Sequence, residues 1–209
     1  LVVMTGITST MNFTMDGARG QLLQVAGLMT LDIFGFVQVS GGFAIDKGLG
    51  NVTLADGSEV QVDELLLGAS NLNAFVGVNG GKDNATGLQA VGVDLALAML
   101  SDKSDSTRSW TSLQATAHSA GLIGIDGITL SGENIAIDVN QANKAGDSVV
   151  DYSAGKTALA VKTGINAGDS ITLDMDGVDG NLLRATGTLA LNVYGFLQAR
   201  GGFALESRR

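Results

Sequence analysis

Apolar and polar residues alternate along much of the chain. From Leu23 to Ile45 every odd-numbered position is apolar or glycine. The polar residues of this stretch lie at even positions and are Gln24, Thr30, Asp32, Gln38 and Ser40. A period of two places successive side chains on opposite faces of a β-strand. The pattern predicts strands that have one buried face and one solvated face.

The same alternation recurs in shorter segments, at residues 11–15, 91–99, 135–139 and 171–175. Between such segments, Asp-Gly and Asn-Gly pairs supply the residues that tolerate positive φ, which tight hairpins need. These pairs begin at Asp16, Asp56, Asn79, Asp126, Asp176 and Asp179. Hairpin turns between alternating segments indicate antiparallel pairing.

Two segments have the composition of helices, because they are rich in Leu and Ala. They are residues 62–69 and 88–101, and in the second the alternation favours a strand. We therefore predict an all-β chain of long antiparallel strands. These strands form either an elongated repetitive sheet, similar to a β-solenoid, or a β-sandwich repeated along the chain.

The two ends of the chain resemble each other. Residues 1–7 match 159–165 at an offset of 158, and residues 15–46 match 175–206 at an offset of 160, with 15 of 32 positions identical. The repeat predicts one unit at 1–158 and the start of the next at 159–209. Weaker internal similarity indicates sub-repeats of about 40 residues within a unit. We expect the chain to be a piece of a larger repetitive polypeptide.

Composition removes several classes of function. The net charge is −9, and the 12 Lys and Arg residues are scattered, so we predict no nucleic-acid partner. With no cysteine and one histidine, the sequence offers neither a disulfide framework nor a zinc shell. The chain also has no run of 18 apolar residues, so we predict no integral membrane segment.

Two short motifs resemble catalytic or nucleotide-binding sequences and fail on one residue each. Residues 151–157 end like a phosphate-binding loop, but Val150 stands where the spacing requires glycine. His118 lies in a segment that lacks the leading glycine of a nucleophile elbow. We predict that the protein is not an enzyme. An enzyme that uses paired carboxylates stays open, because no motif selects a pair.

An acidic loop is the one candidate for a cation site. Asp174, Asp176 and Asp179 have the spacing of the opening ligands of a calcium loop, but the downstream glutamate is missing. The aligned loop at 14–20 keeps only one carboxylate, at Asp16. A turn is the favoured interpretation, and calcium is the alternative. We predict no other cofactor.

Residues 52–81, 120–140 and 173–196 resemble, in texture and repeat length, the long repeat units of giant bacterial adhesin-like surface or secreted proteins. The resemblance implies an extracellular or cell-surface location and a structural or adhesive role, with filament formation. The expected partners are neighbouring repeats of the same chain, further copies or a surface ligand. The alternative function is a groove that binds or conducts lipid or another hydrophobic ligand, which the mean hydropathy of +0.28 favours.

Overall fold

The computed structural model describes residues 2–4, 10–12, 21–166 and 168–209, and for 2–4 and 10–12 it describes the backbone alone. The described chain consists of twelve β-strands and one short 3-10 helix, Gly177–Asp179. It contains no helix with the length and hydropathy needed to cross a membrane. The predicted all-β chain of long antiparallel strands is confirmed.

Eight strands form one open antiparallel sheet in the order β12-β11-β8-β7-β6-β5-β4-β3. Their bounds are β3 Leu23–Ile33, β4 Val37–Thr53, β5 Glu59–Val78, β6 Thr86–Asp102, β7 Ser109–Ile123, β8 Ile128–Ala142, β11 Leu182–Val193 and β12 Leu197–Arg208. The other four strands form two short hairpins, β1 Val2–Met4 with β2 Thr10–Asn12, and β9 Ala160–Lys162 with β10 Ser170–Thr172. Between β8 and β11 the chain leaves the sheet and crosses one of its faces.

The strand β5 includes residues 62–69, the segment whose composition favoured a helix. Helix propensity is a weak signal, and side-chain packing across the sheet overrides it. Two of the Asp-Gly pairs turn hairpins as expected, with Gly57 at φ 84 and Gly127 at φ 74. The Asp176-Gly177 pair instead starts the 3-10 helix, whose N-cap is Asp176. The pair at Asp16 lies outside the described residues.

A row of irregular residues crosses the middle of the sheet. Asn71, Gly92 and Asn134 lie inside long strands but have φ values of 46, 61 and 50 degrees. The strand registers shift at these points, as β-bulges require. The Asp94 carboxylate accepts a hydrogen bond from the Asn71 amide at 2.8 Å, and the Asn73 side chain accepts one from Gly92 at 3.2 Å. These bonds satisfy amides that a bulge takes out of the ladder.

We name residues 148–176, described except for Ala167, the covering segment. It packs across one face of the sheet, at the end that contains the Asp56-Gly57 turn, and β9 contacts β4, β5 and β6. The main hydrophobic core lies between this segment and the sheet. It consists of Val52, Leu54, Val62, Leu66, Ala96, Ala98, Leu100, Trp110, Val150, Tyr152, Val161, Leu173, Met175 and Leu182.

Buried polar side chains tie the covering segment to the sheet. Asn140 donates from Nδ2 to the Val150 carbonyl at 2.7 Å, and the Ser112 hydroxyl donates to Asn140 Oδ1 at 3.1 Å. The Tyr152 hydroxyl donates to Ser112 Oγ at 2.8 Å. Trp110 donates from its indole to the Ser148 carbonyl at 2.8 Å. These directional bonds fix where the covering segment lies on the sheet.

We name the opposite side of the sheet the apolar face. The strand registers place there alternate residues of every strand, from one edge of the sheet to the other. Its central rows are Val25, Ile45, Leu67, Leu97, Leu113, Val139 and Leu183, then Leu31, Val39, Ala74, Ala90, Ala120 and Leu189, then Ile33, Val37, Val76, Leu88, Leu122, Leu130 and Leu191. Its large exposed side chains include Leu23, Val25, Leu31, Ile33, Val76, Val78, Leu88, Met99, Leu130, Leu183, Leu189, Leu197 and Leu205.

The alternation of residues 23–45 therefore identified the apolar face, but this is not the side that the covering segment buries. In β4 the buried positions are even, such as Ala44 and Val52, whereas the odd positions Phe43 and Ile45 are half-buried. The expectation that the odd side chains form the buried face is wrong within the described residues. The apolar pattern is present, and the covering segment packs on the other face.

Candidate functional site: two free sheet edges

The open sheet ends in two long strands, each with one side free of strand pairing within the described residues. Among the described strands, β3 pairs only with β4, and β12 pairs only with β11. They are 11 and 12 residues long. A free strand edge presents unpaired N–H and C=O groups, which can bind another strand. These two edges are the candidate functional site.

The hairpins that carry the two edges have the same geometry. In β3–β4, Ile33 pairs with Val37, and in β11–β12, Val193 pairs with Leu197, which is the same pair at an offset of 160. Both turns have two residues at positive φ, an aromatic residue followed by glycine. They are Phe34 at 50 and Gly35 at 70 degrees, and Tyr194 at 48 and Gly195 at 71 degrees. Positive φ at both central positions is the requirement of a type I′ turn.

Side-chain contacts within the two hairpins also correspond. Asp32 accepts from the Gly35 amide at 2.8 Å, and Asn192 accepts from the Gly195 amide at 2.9 Å. Hydrogen bonds from the Gln38 side chain and then from the Gly35 amide lower the pKa of Asp32. Both hairpins have an Asp or Asn three residues before the turn glycine. This spacing is visible in the sequence and could have identified the two turns.

A cross-strand polar pair lies at the other end of each hairpin. Gln24 donates to Asp46 at 2.6 Å, and Arg184 donates to Glu206 at 2.9 Å. The bonds from Arg184 and then Arg208 lower the pKa of Glu206. At the second edge both side chains of the pair are charged, whereas at the first edge Gln24 is neutral. The pair at the second edge is therefore the stronger contact of the two.

The short hairpins correspond in the same way. In β1–β2 Val3 pairs with Met11, and in β9–β10 Val161 pairs with Ile171, so the first strand is offset by 158 and the second by 160. These are the two offsets of the sequence match. The division into units at 1–158 and 159–209, and the sub-repeats of about 40 residues, stay predictions.

One strand edge shows what a free edge of this kind can bind. The strand β11 corresponds to β3, and its second side pairs with β8 over its full length, from Leu182 with Asn140 to Val193 with Ile128. Because the two strands have corresponding sequences and turns, the free side of β3 has the geometry to accept a strand like β8. In the same way, β12 corresponds to β4, whose second side pairs with β5. The free side of β12 therefore has the geometry to accept a strand like β5.

The three carboxylates of the acidic loop have separate partners. Asp174 accepts from Gln114 at 2.6 Å, Asp176 caps the 3-10 helix by accepting from Val178 at 3.0 Å, and Asp179 pairs with Arg184 at 3.2 Å. Among the residues that the structure describes, no group of three or more His, Cys, Asp or Glu side chains could hold a metal ion. The calcium alternative stays a prediction, and the described contacts of the loop are those of a turn.

Asp138 is the described carboxyl group whose pKa is raised. It lies on the covered face, where its burial raises the pKa, Arg184 at 3.7 Å lowers it, and the charge of Asp174 raises it further. Raised pKa values occur at catalytic carboxyl groups. Here the partners of Asp138 and Asp174 are the structural side chains Arg184 and Gln114.

The remaining sequence motifs have structural contacts. Asp151, in the segment that resembles a phosphate-binding loop, accepts from the amides of Ser153 and Gly177 at 3.0 and 3.2 Å, and Thr157 accepts from Thr53 at 2.8 Å. His118 is exposed on β7 beside the row of bulges.

Comparison with protein-family models, with curated proteins and with solved structures gives no match.

Proposed function

We propose that this chain is a structural or adhesive repeat module of a large extracellular or cell-surface protein and that it has no catalytic role. The observation that carries the proposal is the presence of two corresponding hairpins at the two free edges of one sheet. A module of this kind extends by adding strands at its edges, so its partners are neighbouring units of the same sequence.

The correspondence between the two hairpins supports one way of joining units. A preceding unit would place its β8 beside β3, in the register in which β8 pairs with β11 here. Each unit then contributes six strands to one continuous sheet, from β3 to β8. At about 4.8 Å between neighbouring strands, a unit extends the sheet by about 29 Å.

The uncovered part of the polar face supports an adhesive role. Beyond the row of bulges it carries hydroxyl and amide side chains, among them Gln38, Ser40, Asn73 and Gln89 around a shallow depression. Such groups form hydrogen bonds with polar surface ligands. Repetition would present the same polar surface once in every unit, which multiplies weak contacts.

Lengthening the chain by one unit tests the proposal. We expect a chain with a second copy of residues 1–158 placed before the first to fold, and its maximum dimension in small-angle X-ray scattering to increase by about 29 Å. A control of the same length should carry a scrambled 128–142 segment in the added copy, which removes the strand that joins β3. An added unit that stays unfolded, or a particle that does not lengthen, would contradict the proposal.

The apolar face favours a second candidate, a module that binds lipid or another hydrophobic ligand. Exposed apolar area of this extent is unusual for a monomer in water. Stoichiometric lipid in the purified protein, detected by mass spectrometry, would favour this function, and protein free of lipid would count against it.

A further inference from the structure

We infer that the apolar face binds the apolar face of a second copy of this chain, so that two sheets pack face to face. The inference rests on the shape and chemistry of this face and stands whether or not the units repeat along the chain. Sheets that pack in this way lie about 10 Å apart, and side chains from the two inner faces interdigitate.

The central part of the apolar face carries no charge among the described sheet residues. Lys47 of β4 and Asp63 of β5 lie on this face near the end that contains the Asp56-Gly57 turn. From the neighbouring row, that of Ile45 and Leu67, to the turns at the far end, no described sheet residue on this face is charged. The net charge of −9 therefore lies elsewhere, and a second copy can approach without burying unpaired charges.

The exposed area of the protein also favours a face-to-face dimer. The solvent-accessible surface is 12275 Å². A compact monomer of 21.3 kDa is expected to expose about 9,100 Å². The protein therefore exposes about 3,000 Å² more surface than a compact monomer of its mass. Seven strand spacings of about 4.8 Å and the nine residues from Ile45 to Val37 at about 3.4 Å each make the uncharged part of the face about 34 by 31 Å, so its coverage in two copies would bury about 2,100 Å². That area lies within the range of permanent dimer interfaces, about 2,000–5,000 Å².

The breadth and relief of the apolar face favour a protein partner over a lipid. The face is broad, and it extends across eight paired strands. Its rows differ in side-chain size, because Ala74, Ala90 and Ala120 form a low row beside the higher row of Val76, Leu88 and Leu122. Two such surfaces can interdigitate, as the inner faces of β-sandwiches do. A single acyl chain would cover only a small part of this width.

The test is the mass of the full chain in solution, measured by analytical ultracentrifugation without detergent, with the wild type and two variants. We expect the wild type to be a dimer at micromolar concentration. Leu88→Glu places a charge at a side chain that is 58% exposed on the apolar face. We expect this variant to dissociate at concentrations at least 100-fold higher than the wild type does, because it buries an unpaired charge. Gln89→Glu, on the other face of the same strand, should remain a dimer.

The folding of each variant is checked by the emission of Trp110, which is buried under the covering segment and does not lie on the apolar face. If Leu88→Glu does not fold, Leu130→Lys, on β8, provides the same test. A monomeric wild type overturns the inference, and a monomer that carries lipid assigns the face to lipid instead. A dimer that Leu88→Glu leaves intact also overturns it.

Discussion

The side chain of Asn140 connects the covering segment to the sheet. The free energy of unfolding that is lost when this side chain is removed can be estimated from its hydrogen bonds. Asn140 is fully buried. Asn140→Ala would remove the donor to the Val150 carbonyl and the acceptor of the Ser112 hydroxyl. A buried polar group without a partner costs about 1–3 kcal/mol, so two such groups cost about 2–6 kcal/mol. We expect a loss in the lower half of that range, about 3 kcal/mol, because the Ser112 hydroxyl can rotate to another partner.

Urea unfolding measures this loss, and the single tryptophan reports it. Trp110 is 1% exposed and lies beneath the covering segment, so its emission changes when the segment leaves the sheet. For a chain of this length, 1 kcal/mol lowers the melting temperature by about 2–4 °C, so Asn140→Ala should lower it by about 6–12 °C. Tyr152→Phe removes a single hydrogen bond to Ser112 and should cost about 1 kcal/mol.

The matched control is Asn51→Ala, because Asn51 is an exposed asparagine of β4 near the same end of the sheet. A surface substitution of this kind changes stability by less than about 0.5 kcal/mol. If Asn140→Ala and Asn51→Ala lowered the free energy of unfolding by the same amount, the buried network would not hold the covering segment. The hydrophobic core alone would then account for its position.

Three further predictions concern a turn, the covering segment and a carboxyl group. Phe34→Asn should raise the free energy of unfolding in urea by about 0.5–1 kcal/mol, because asparagine adopts positive φ more easily and the Phe34 ring is 93% exposed; a lower free energy of unfolding would contradict this. Gly68→Ala would place a Cβ against the Lys162 carbonyl oxygen, so hydrogen exchange of β9 should accelerate while β7 stays protected; unchanged exchange would argue against close packing there. Asp174→Asn should lower the pKa of Asp138 in an NMR titration, since it removes a repulsive charge. Because the pKa of Asp138 is raised in the folded state, the free energy of unfolding receives a growing contribution from this group as the pH falls. In Asp174→Asn this increase toward acid pH should be smaller than in the wild type.

The period of two in the sequence was sufficient to predict the strands, but it gave no sign of the turn between β3 and β4. In the β3–β4 hairpin, Ile33 pairs with Val37, so odd positions lie opposite odd positions. The alternation of the two strands therefore has the same parity, and it continues without a break through Phe34 and Gly35. The Asp-x-x-Gly spacing from Asp32 to Gly35, matched by Asn192 to Gly195, is the local signal that identifies the turn.

The helical composition of residues 62–69 has a physical explanation. In this part of β5 both faces of the sheet carry apolar residues, since Val62 and Leu66 pack under the covering segment, and Leu65 and Leu67 belong to the apolar face. A strand that is apolar on both sides loses its alternation, and leucine favours helices. The long-range pairing that decides between strand and helix is not visible in a short window.

The position of the covering segment could not be predicted from sequence, because it depends on contacts between residues far apart in the chain. Thr157 binds Thr53, and Ser70 binds Thr163. The spacing of the acidic loop likewise indicated a shared site, whereas Asp174 and Asp179 turn to different partners on the sheet. Carboxylate spacing reports proximity along the chain, and the partners of each carboxylate are set by the fold.

The row of bulges is what joins the two proposals for this sheet. One extra residue in a strand would move all later side chains to the opposite face. In β5 the residues of the apolar face change from odd, as at Leu67, to even, as at Val76, and the change occurs at Asn71. The neighbouring strands are irregular in the same row, so apolar side chains stay on one side along the full length of the sheet. Extension at the edges would therefore add, unit by unit, to a single uninterrupted apolar face, and a second such sheet could cover it along its length.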